Sequence, residues 1–483
     1  MLAIVYWSAV ALVIIGLLVG VVIRLRASRI ALRAVRRSGA RIDRFKLTRK
    51  PFIREMLLAD PAIGDAVKEH AAEQNVSEAQ TWKRVESYID EIVPFFNILT
   101  YYKFGLVVSR ALLNFFYKVS AEYAGEPSQL PKDSVVIYLM NHRSNADYVL
   151  VGYVLSGQVA ISYAVGEWAR AFPLEYIFKS FGAYFVRRRY REKLYHTVLE
   201  RYVQLITRNG VTQGIFLEGG LSRDGRLGNA KIGLLDYLIG VTRDRELTDK
   251  IFIIPVAVNY DRVLEDRSLL RELDARQGRD RPSRIVQLGE VVRYVWWNLV
   301  RLLARKWKRY GRAAVVIGEP IPLGPWLEQQ HRETGDLFGV DRSVRLARVQ
   351  SLADSILSEI SQLIPVTPVT LACAAIQSFD GDFILHAHLI ERMRDMRDVL
   401  HELNARVVHR DGSVEEIFDR AWRMLNMRRI LVRSGNGYSV LPANRPLISY
   451  YANSIGHLLG AFAEGVSARD RLPAMAAGSV RFL

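Results

Sequence analysis

The sequence predicts an α/β fold: a central mixed sheet flanked by helices, with an N-terminal transmembrane helix and a mainly helical C-terminal region. Three observations predict it. Short β-branched runs alternate with helix-length segments over residues 131–325, residues 1–23 carry no charged side chain, and the strand pattern stops after Gly318-Glu319-Pro320-Ile321-Pro322. Strands separated by helix-length segments imply an α/β sheet rather than a hairpin-rich one.

The first element is MLAIVYWSAVALVIIGLLVGVVI, residues 1–23. It is long enough to cross the roughly 30 Å hydrocarbon layer as a helix. A secretory signal has basic residues before its apolar core and a small-residue cleavage site. Here charge begins only at Arg24, and eleven Lys or Arg stand between Arg24 and Lys50 against one acid, Asp43. By the positive-inside rule the bulk of the chain is expected in the cytoplasm, anchored in the inner (plasma) membrane by this single helix. Arg26, Arg29, Arg33, Arg36 and Arg37, interleaved with Leu25, Ile30, Leu32 and Val35, suit a basic helix lying on anionic membrane lipids.

Residues 24–130 read as this basic arm followed by helices, with breaks at Asp60-Pro61, Asn75-Val76-Ser77 and 124–131. The α/β domain follows over 131–325, its strands expected near residues 135–140, 159–164, 183–186, 214–217, 252–258 and 313–317. Within it, residues 291–312 mix Trp296, Trp297 and Trp307 with Arg301, Arg305, Lys306 and Lys308. That pattern fits either a bilayer interface or a surface helix with its tryptophans in the core. Residues 326–483 read as mainly helical, with a loop at Pro365-Val366-Thr367-Pro368 and a short hairpin around Ser434–Gly437.

Composition narrows the function. Half of the 483 residues are apolar, so the chain can bury a substantial core. The single cysteine, Cys373, excludes an intramolecular disulfide and a cysteine metal cage, and lies in an apolar stretch as a core residue. A net charge of +17 admits a nucleic-acid partner. The concentration of that charge beside the apolar N-terminus favours a membrane surface instead, and no nucleic acid is expected.

Asn141-His142-Arg143-Ser144-Asn145-Ala146-Asp147 follows the apolar run ending at Met140. A histidine on a strand-to-helix turn, with a carboxylate five residues on to hold its ring, is a pair suited to taking a proton from a hydroxyl. Three segments follow in order. Gly182-Ala183-Tyr184-Phe185-Val186 runs into Arg187, Arg188 and Arg189, whose guanidinium groups suit a phosphate dianion. Glu218-Gly219-Gly220-Leu221-Ser222-Arg223 offers a glycine turn that an anion can approach closely, with Arg226 nearby. Ile254-Pro255-Val256-Ala257-Val258-Asn259-Tyr260 is a further strand, with a bend expected at Pro255.

In this order the segments resemble the four blocks of the glycerolipid acyltransferase family, and more closely its glycerol-3-phosphate and dihydroxyacetone-phosphate branch. NHRSNADY is similar to the family's NHXXXXD block, GAYFVRR to GAFFIRR, FLEGGLSRDGRL to FxEGGRSRTGKL, and IIPVAVNYDRVLE to VPVSINYDxxxE. NAKIGLL resembles PKxGLL, while IPVTPVT and PLISYYANSI resemble ITPVTPVS and YYRNNI segments of the membrane-bound bacterial enzymes. The resemblance covers roughly residues 90–460. It departs at Leu221, where the family has an arginine thought to face the substrate phosphate. Either Arg223, or Arg187 and Arg188, compensates, or the acceptor is bound more weakly or differs.

The resemblance implies a glycerol-3-phosphate acyltransferase-like fold and acyl transfer from a thioester, acyl-CoA or acyl carrier protein, to glycerol 3-phosphate, making lysophosphatidate. Dihydroxyacetone-phosphate or lysophosphatidate acylation, and a non-catalytic lipid-binding role, are the alternatives. His142 is expected as general base, oriented by Asp147. Backbone N–H groups after His142 are expected to hold the oxyanion. Arg187, Arg188, Glu218, Gly219, Gly220, Ser222, Arg223 and Pro255 are expected to bind substrate. No cofactor and no metal are expected.

Overall fold

The computed structural model describes residues 43–97, 101, 105–125, 130–131, 133–156, 159–170, 174–187, 190–276 and 309–460. The expected anchor at 1–23, the basic arm to residue 42, Arg188, Arg189 and the Trp-rich stretch 291–308 lie outside the described residues. Among the described residues no helix is long and apolar enough to cross a membrane.

Eleven strands occur among the described residues: β1 (Lys118–Tyr123), β2 (Val135–Met140), β3 (Ser162–Gly166), β4 (Tyr184–Val186), β5 (Gln213–Phe216), β6 (Ile251–Tyr260), β7 (Arg312–Ile317), β8 (Ile321–Pro322), β9 (Phe383–Leu385), β10 (Leu431–Ser434) and β11 (Gly437–Val440). The chain divides into two compact units, Met1–Ala111 with Gly152–Gln213, and Leu112–Val151 with Gly214–Leu483. Residues 131–325 thus contribute strands to both units.

In the first unit, β3 and β4 pair in parallel, Ala164 beside Tyr184. The helices Pro61–Gln74 and Glu78–Ile92 pack against Lys193–Arg208. Their starts are encoded locally. Asp60 caps the first by accepting the Ala62 N–H at 3.0 Å, and Ser77 with Gln80 forms a capping box on the second. Lys193–Arg208 buries Val198, Leu199, Tyr202, Val203 and Ile206 at helical spacing.

The second unit holds the site. Its sheet runs β1-β7-β6-β2-β5, with β8 also on β6. β2 lies parallel to β6 and β1 parallel to β7, while β6 and β7 are antiparallel, so the sheet is mixed as expected. All six residues of β2 are buried, which explains why VVIYLM reads as a continuous apolar run rather than an alternation. β1 lies in a stretch read as helical. KVSAEY is largely exposed along its length, so apolar patterning gave no strand signal there.

Pro255 is not at a bend. It lies inside β6 opposite Leu139, where the far edge of β6 changes partner from β8 (at Phe252 and Ile253) to β7 (from Val256). A residue without an N–H is tolerated at that gap, and its carbonyl still accepts the Gly318 N–H at 2.8 Å.

The C-terminal part of this unit packs around the helix Pro368–Gln377, nine of whose residues are buried, Cys373 among them. The helices His386–Glu402, Val414–Met427 and Arg445–Ala452 surround it. β10 and β11 form the expected hairpin, joined by β9 as a third strand.

Candidate active site

β2 ends at Met140, beside Val256 of β6, and the next side chain extends the ladder. Asn141 Nδ2 donates to the Val258 carbonyl at 3.0 Å, and Asn141 Oδ1 accepts the Val258 N–H at 2.8 Å. The amide substitutes for the backbone pair that a longer strand would make, fixing the direction in which the chain leaves the sheet. His142 comes next.

The His142 imidazole is 1% exposed. It stacks on Phe216, with centroids 3.9 Å apart and planes at 24°, and meets the edge of Tyr148 at 5.5 Å. Its Nδ1 faces Asp147 Oδ2 at 2.9 Å. A carboxylate there selects the tautomer with the proton on Nδ1, leaving Nε2 as the basic nitrogen.

Asp147 opens the helix Asp147–Val154 and is completely buried. Its Oδ2 also accepts the N–H groups of Arg143 (2.7 Å) and Ser144 (3.0 Å), and Oδ1 accepts the Tyr260 hydroxyl at 2.6 Å. Four donors hold this carboxylate, so the histidine is oriented by a fixed acceptor. Burial, with the Asp147 charge beside it, pushes the Tyr260 phenol well above its usual range and keeps it a donor.

The backbone N–H groups expected to receive an oxyanion are committed elsewhere. The His142 N–H goes to Glu218 Oε1 (2.8 Å), and those of Arg143 and Ser144 to Asp147. The Asn145 N–H goes to Glu265 Oε1 (3.2 Å) and that of Ala146 to Ser144 Oγ (3.1 Å). These bonds rigidify the loop and occupy the donors that were expected to receive an oxyanion.

Glu218 is the second organiser. Its Oε1 takes the His142 N–H and its Oε2 the Gly228 N–H at 2.7 Å, so one carboxylate ties the histidine loop to the glycine-rich turn. Burial raises its pKa to about 7, opposed by those two N–H groups and by the Arg143 charge. Ser222 adds a second tie, its N–H donating to the His142 carbonyl at 3.0 Å and its hydroxyl to the Arg226 carbonyl at 2.6 Å. Gly219 has φ +65°, a conformation glycine adopts without cost, and Gly220 follows it in the turn.

The two described arginines expected to bind substrate have carboxylate partners of their own. Arg223 pairs with Glu272 at 3.0 Å, on a partly exposed surface. Arg187 belongs to the first unit, where Glu91 accepts from both its Nε (2.8 Å) and its Nη2, and where Tyr88, Tyr190 and Tyr195 surround its Cζ within 5.5 Å. Its charge is therefore already met by a bidentate carboxylate. Arg188 lies outside the described residues. Among the described residues no group of three His, Cys, Asp or Glu side chains is placed to hold a metal ion.

The sequence reading assigned no role to three residues at this site. Tyr260 holds Asp147, Asn141 splints β2 to β6, and Glu265 accepts the Ser144 hydroxyl at 2.7 Å. A signal for Tyr260 was present: a tyrosine at the end of a strand that is apolar from Ile251 to Val258 needs a partner for its hydroxyl.

Comparison with known proteins places the same two segments. The acyltransferase profile matches residues 124–259, which hold His142, Asp147 and Glu218, and the profile of the glycerol-3-phosphate acyltransferase C-terminal region matches residues 296–464. Residues 124–259 thus resemble acyltransferases, and residues 296–464 resemble the C-terminal region of glycerol-3-phosphate acyltransferases. Among its relatives, the glycerol-3-phosphate acyltransferase of Aeromonas hydrophila subsp. hydrophila is 26% identical over 86% of this chain and 50% of that protein. Those of Pasteurella multocida and Glaesserella parasuis are each 27% identical over 83% of this chain and 49% of theirs. The chain spans about half the length of the curated relatives it matches. Among solved structures, the chain is similar to the 1-acyl-sn-glycerophosphate acyltransferase of Thermotoga maritima, 20% identical over 53% of this chain and 77% of that one, with a TM-score of 0.29.

Proposed function

We propose that this protein transfers a fatty acyl group from an acyl thioester to the 1-hydroxyl of glycerol 3-phosphate, making lysophosphatidate, with His142 as general base. The observation that carries this reading is the fully buried Tyr260–Asp147–His142 chain, with contacts of 2.6 and 2.9 Å, on the loop leaving β2. The two family matches and the names of the relatives support the acceptor.

In this mechanism the acceptor hydroxyl gives its proton to His142 Nε2 as its oxygen attacks the thioester carbonyl. The tetrahedral intermediate collapses by breaking the C–S bond. The departing thiolate is a competent leaving group, since thiols ordinarily titrate near about 8.5. The proton held on the imidazolium then passes to sulfur, restoring neutral His142. Asp147 stabilises the imidazolium and Tyr260 holds Asp147. Because His142 is 1% exposed, substrate reaches it only when groups covering the ring shift. The donor is acyl-CoA or acyl carrier protein. The apolar N-terminus and basic arm support a reaction at the inner membrane, where a product with a fatty chain partitions.

The acceptor is tested by supplying purified full-length protein in anionic lipid with palmitoyl-CoA and, separately, glycerol 3-phosphate, dihydroxyacetone phosphate or lysophosphatidate. Preference for glycerol 3-phosphate by kcat/KM is the expected result. Turnover confined to either other acceptor overturns the assignment.

A further inference from the structure

Arg143, the residue after the histidine, is 3% exposed, yet its guanidinium is only partly satisfied. Nη1 donates to the Gly225 carbonyl, and Cζ lies 4.8 Å from the centroid of the Tyr450 ring. Nε and Nη2 are buried with no hydrogen-bond partner among the described residues. Glu218 feels this charge, but both of its oxygens are occupied by backbone N–H groups. A buried cation with unsatisfied donors is costly, and the cost is recovered when an anion arrives with the ligand.

Arg143 lines a cavity of about 10 Å³ together with Asn141, Glu218, Ser454 and a second arginine, Arg226. That space admits about one water or one phosphoryl oxygen. Arg143 is buried and Arg226 is exposed, so the residues around the cavity include one buried cation and one that reaches solvent. Both residues border the turn that carries Leu221, Arg143 through its contact with the Gly225 carbonyl.

We propose that Arg143 and Arg226 together bind the phosphate monoester of the acyl acceptor, supplying the positive charge that Leu221 does not. This rests on the acyl-transfer reading for its substrate. Arg143 would take one phosphoryl oxygen on Nε and Nη2, a two-donor geometry suited to a phosphate, and Arg226 the solvent-facing oxygens. His142 stands one residue away, so the same loop would hold both the anion and the base.

The test uses full-length protein in lipid and the variants Arg143→Gln, Arg143→Lys and Arg226→Gln. Steady-state kinetics are run against glycerol 3-phosphate and against palmitoyl-CoA. Melting temperature is recorded with glycerol 3-phosphate, with inorganic phosphate and with glycerol. The expected result is a rise of about tenfold in KM for glycerol 3-phosphate in both Gln variants, with KM for palmitoyl-CoA unchanged and partial recovery in Arg143→Lys. Arg226 is exposed, so its variant folds even if Arg143→Gln does not. An unchanged acceptor KM in Arg226→Gln overturns the proposal, as does a rise in the KM for palmitoyl-CoA, which would assign the site to the donor's phosphates. If the wild type fails to acylate glycerol 3-phosphate, the acyl-acceptor assignment fails by itself. The melting data then decide the anion site: stabilisation by phosphate but not glycerol, lost in Arg226→Gln, supports it, and equal stabilisation in both proteins overturns it.

Discussion

The Tyr260 hydroxyl donates to Asp147 Oδ1 at 2.6 Å, while the other oxygen of the same carboxylate faces His142. The two contacts make one rigid chain from the end of β6 to the imidazole.

Tyr260→Phe keeps the ring packing and removes only the hydroxyl. Asp147 retains three of its donors, so the orientation of His142 loosens rather than collapses. An order of ten in kcat is expected to be lost, with both KM values and the melting temperature little changed. An unaltered kcat would show that Asp147 needs no support from this side.

Glu218 gives stability a pH dependence of definite sign. Its pKa is raised from 4.5 to about 7, so the folded state binds the proton more tightly than the unfolded chain. Stability is therefore greatest below about 4.5, falls as pH rises through the window to about 7, and is level above it. The linked free energy is on the order of 3 kcal/mol. Glu218→Gln removes this dependence, so the gap between the melting temperatures of wild type and variant changes between pH 5 and pH 8. A constant gap contradicts the assignment.

The turn after Glu218 distinguishes two glycines. At Gly225 (φ +89°) an added Cβ would lie 1.8 Å from the Tyr450 carbonyl oxygen, a backbone atom that cannot swing aside. Gly225→Ala is expected to cost several kcal/mol or abolish folding. At Gly219 (φ +65°) the nearest atom is Lys231 Cγ at 3.1 Å, on a flexible side chain. Gly219→Ala is expected to cost about 1–2 kcal/mol and to leave a folded protein. Parallel melts of the two variants check the order.

Leu221→Arg adds a third cation to the turn between Glu218 and Arg226. With a third cation on the turn, KM for glycerol 3-phosphate is expected to fall several-fold while KM for the thioester stays the same. No change in the acceptor KM would mean that position 221 lies away from the phosphate in this protein.

Much of the sheet was legible because its strands are buried on both faces. The apolar run of β2 was read with its observed bounds, and β4, β5, β6 and β7 fell within one or two residues at either end. β1 escaped because its sequence, KVSAEY, is half polar and mostly exposed, and its place is set by pairing with β7, nearly two hundred residues away. The pairing of His142 with Asp147 was legible for a local reason, their five-residue spacing at a strand end. The bidentate hold of Glu91 on Arg187 was not, since nothing near position 187 announces a partner 96 residues earlier. Nor was the use of the loop amides legible, because it depends on where Asp147, Glu218 and Glu265 arrive in three dimensions.

The central claim is that His142 is the base of an acyl transfer to glycerol 3-phosphate. The most direct measurement is the initial rate of lysophosphatidate formation from radiolabelled glycerol 3-phosphate and palmitoyl-CoA, by wild type and His142→Ala at matched folded concentration in lipid. The account predicts product from the wild type and a rate at least about a thousandfold lower from the variant. Equal rates in the two proteins, or no product from the wild type with any acyl thioester, would contradict it.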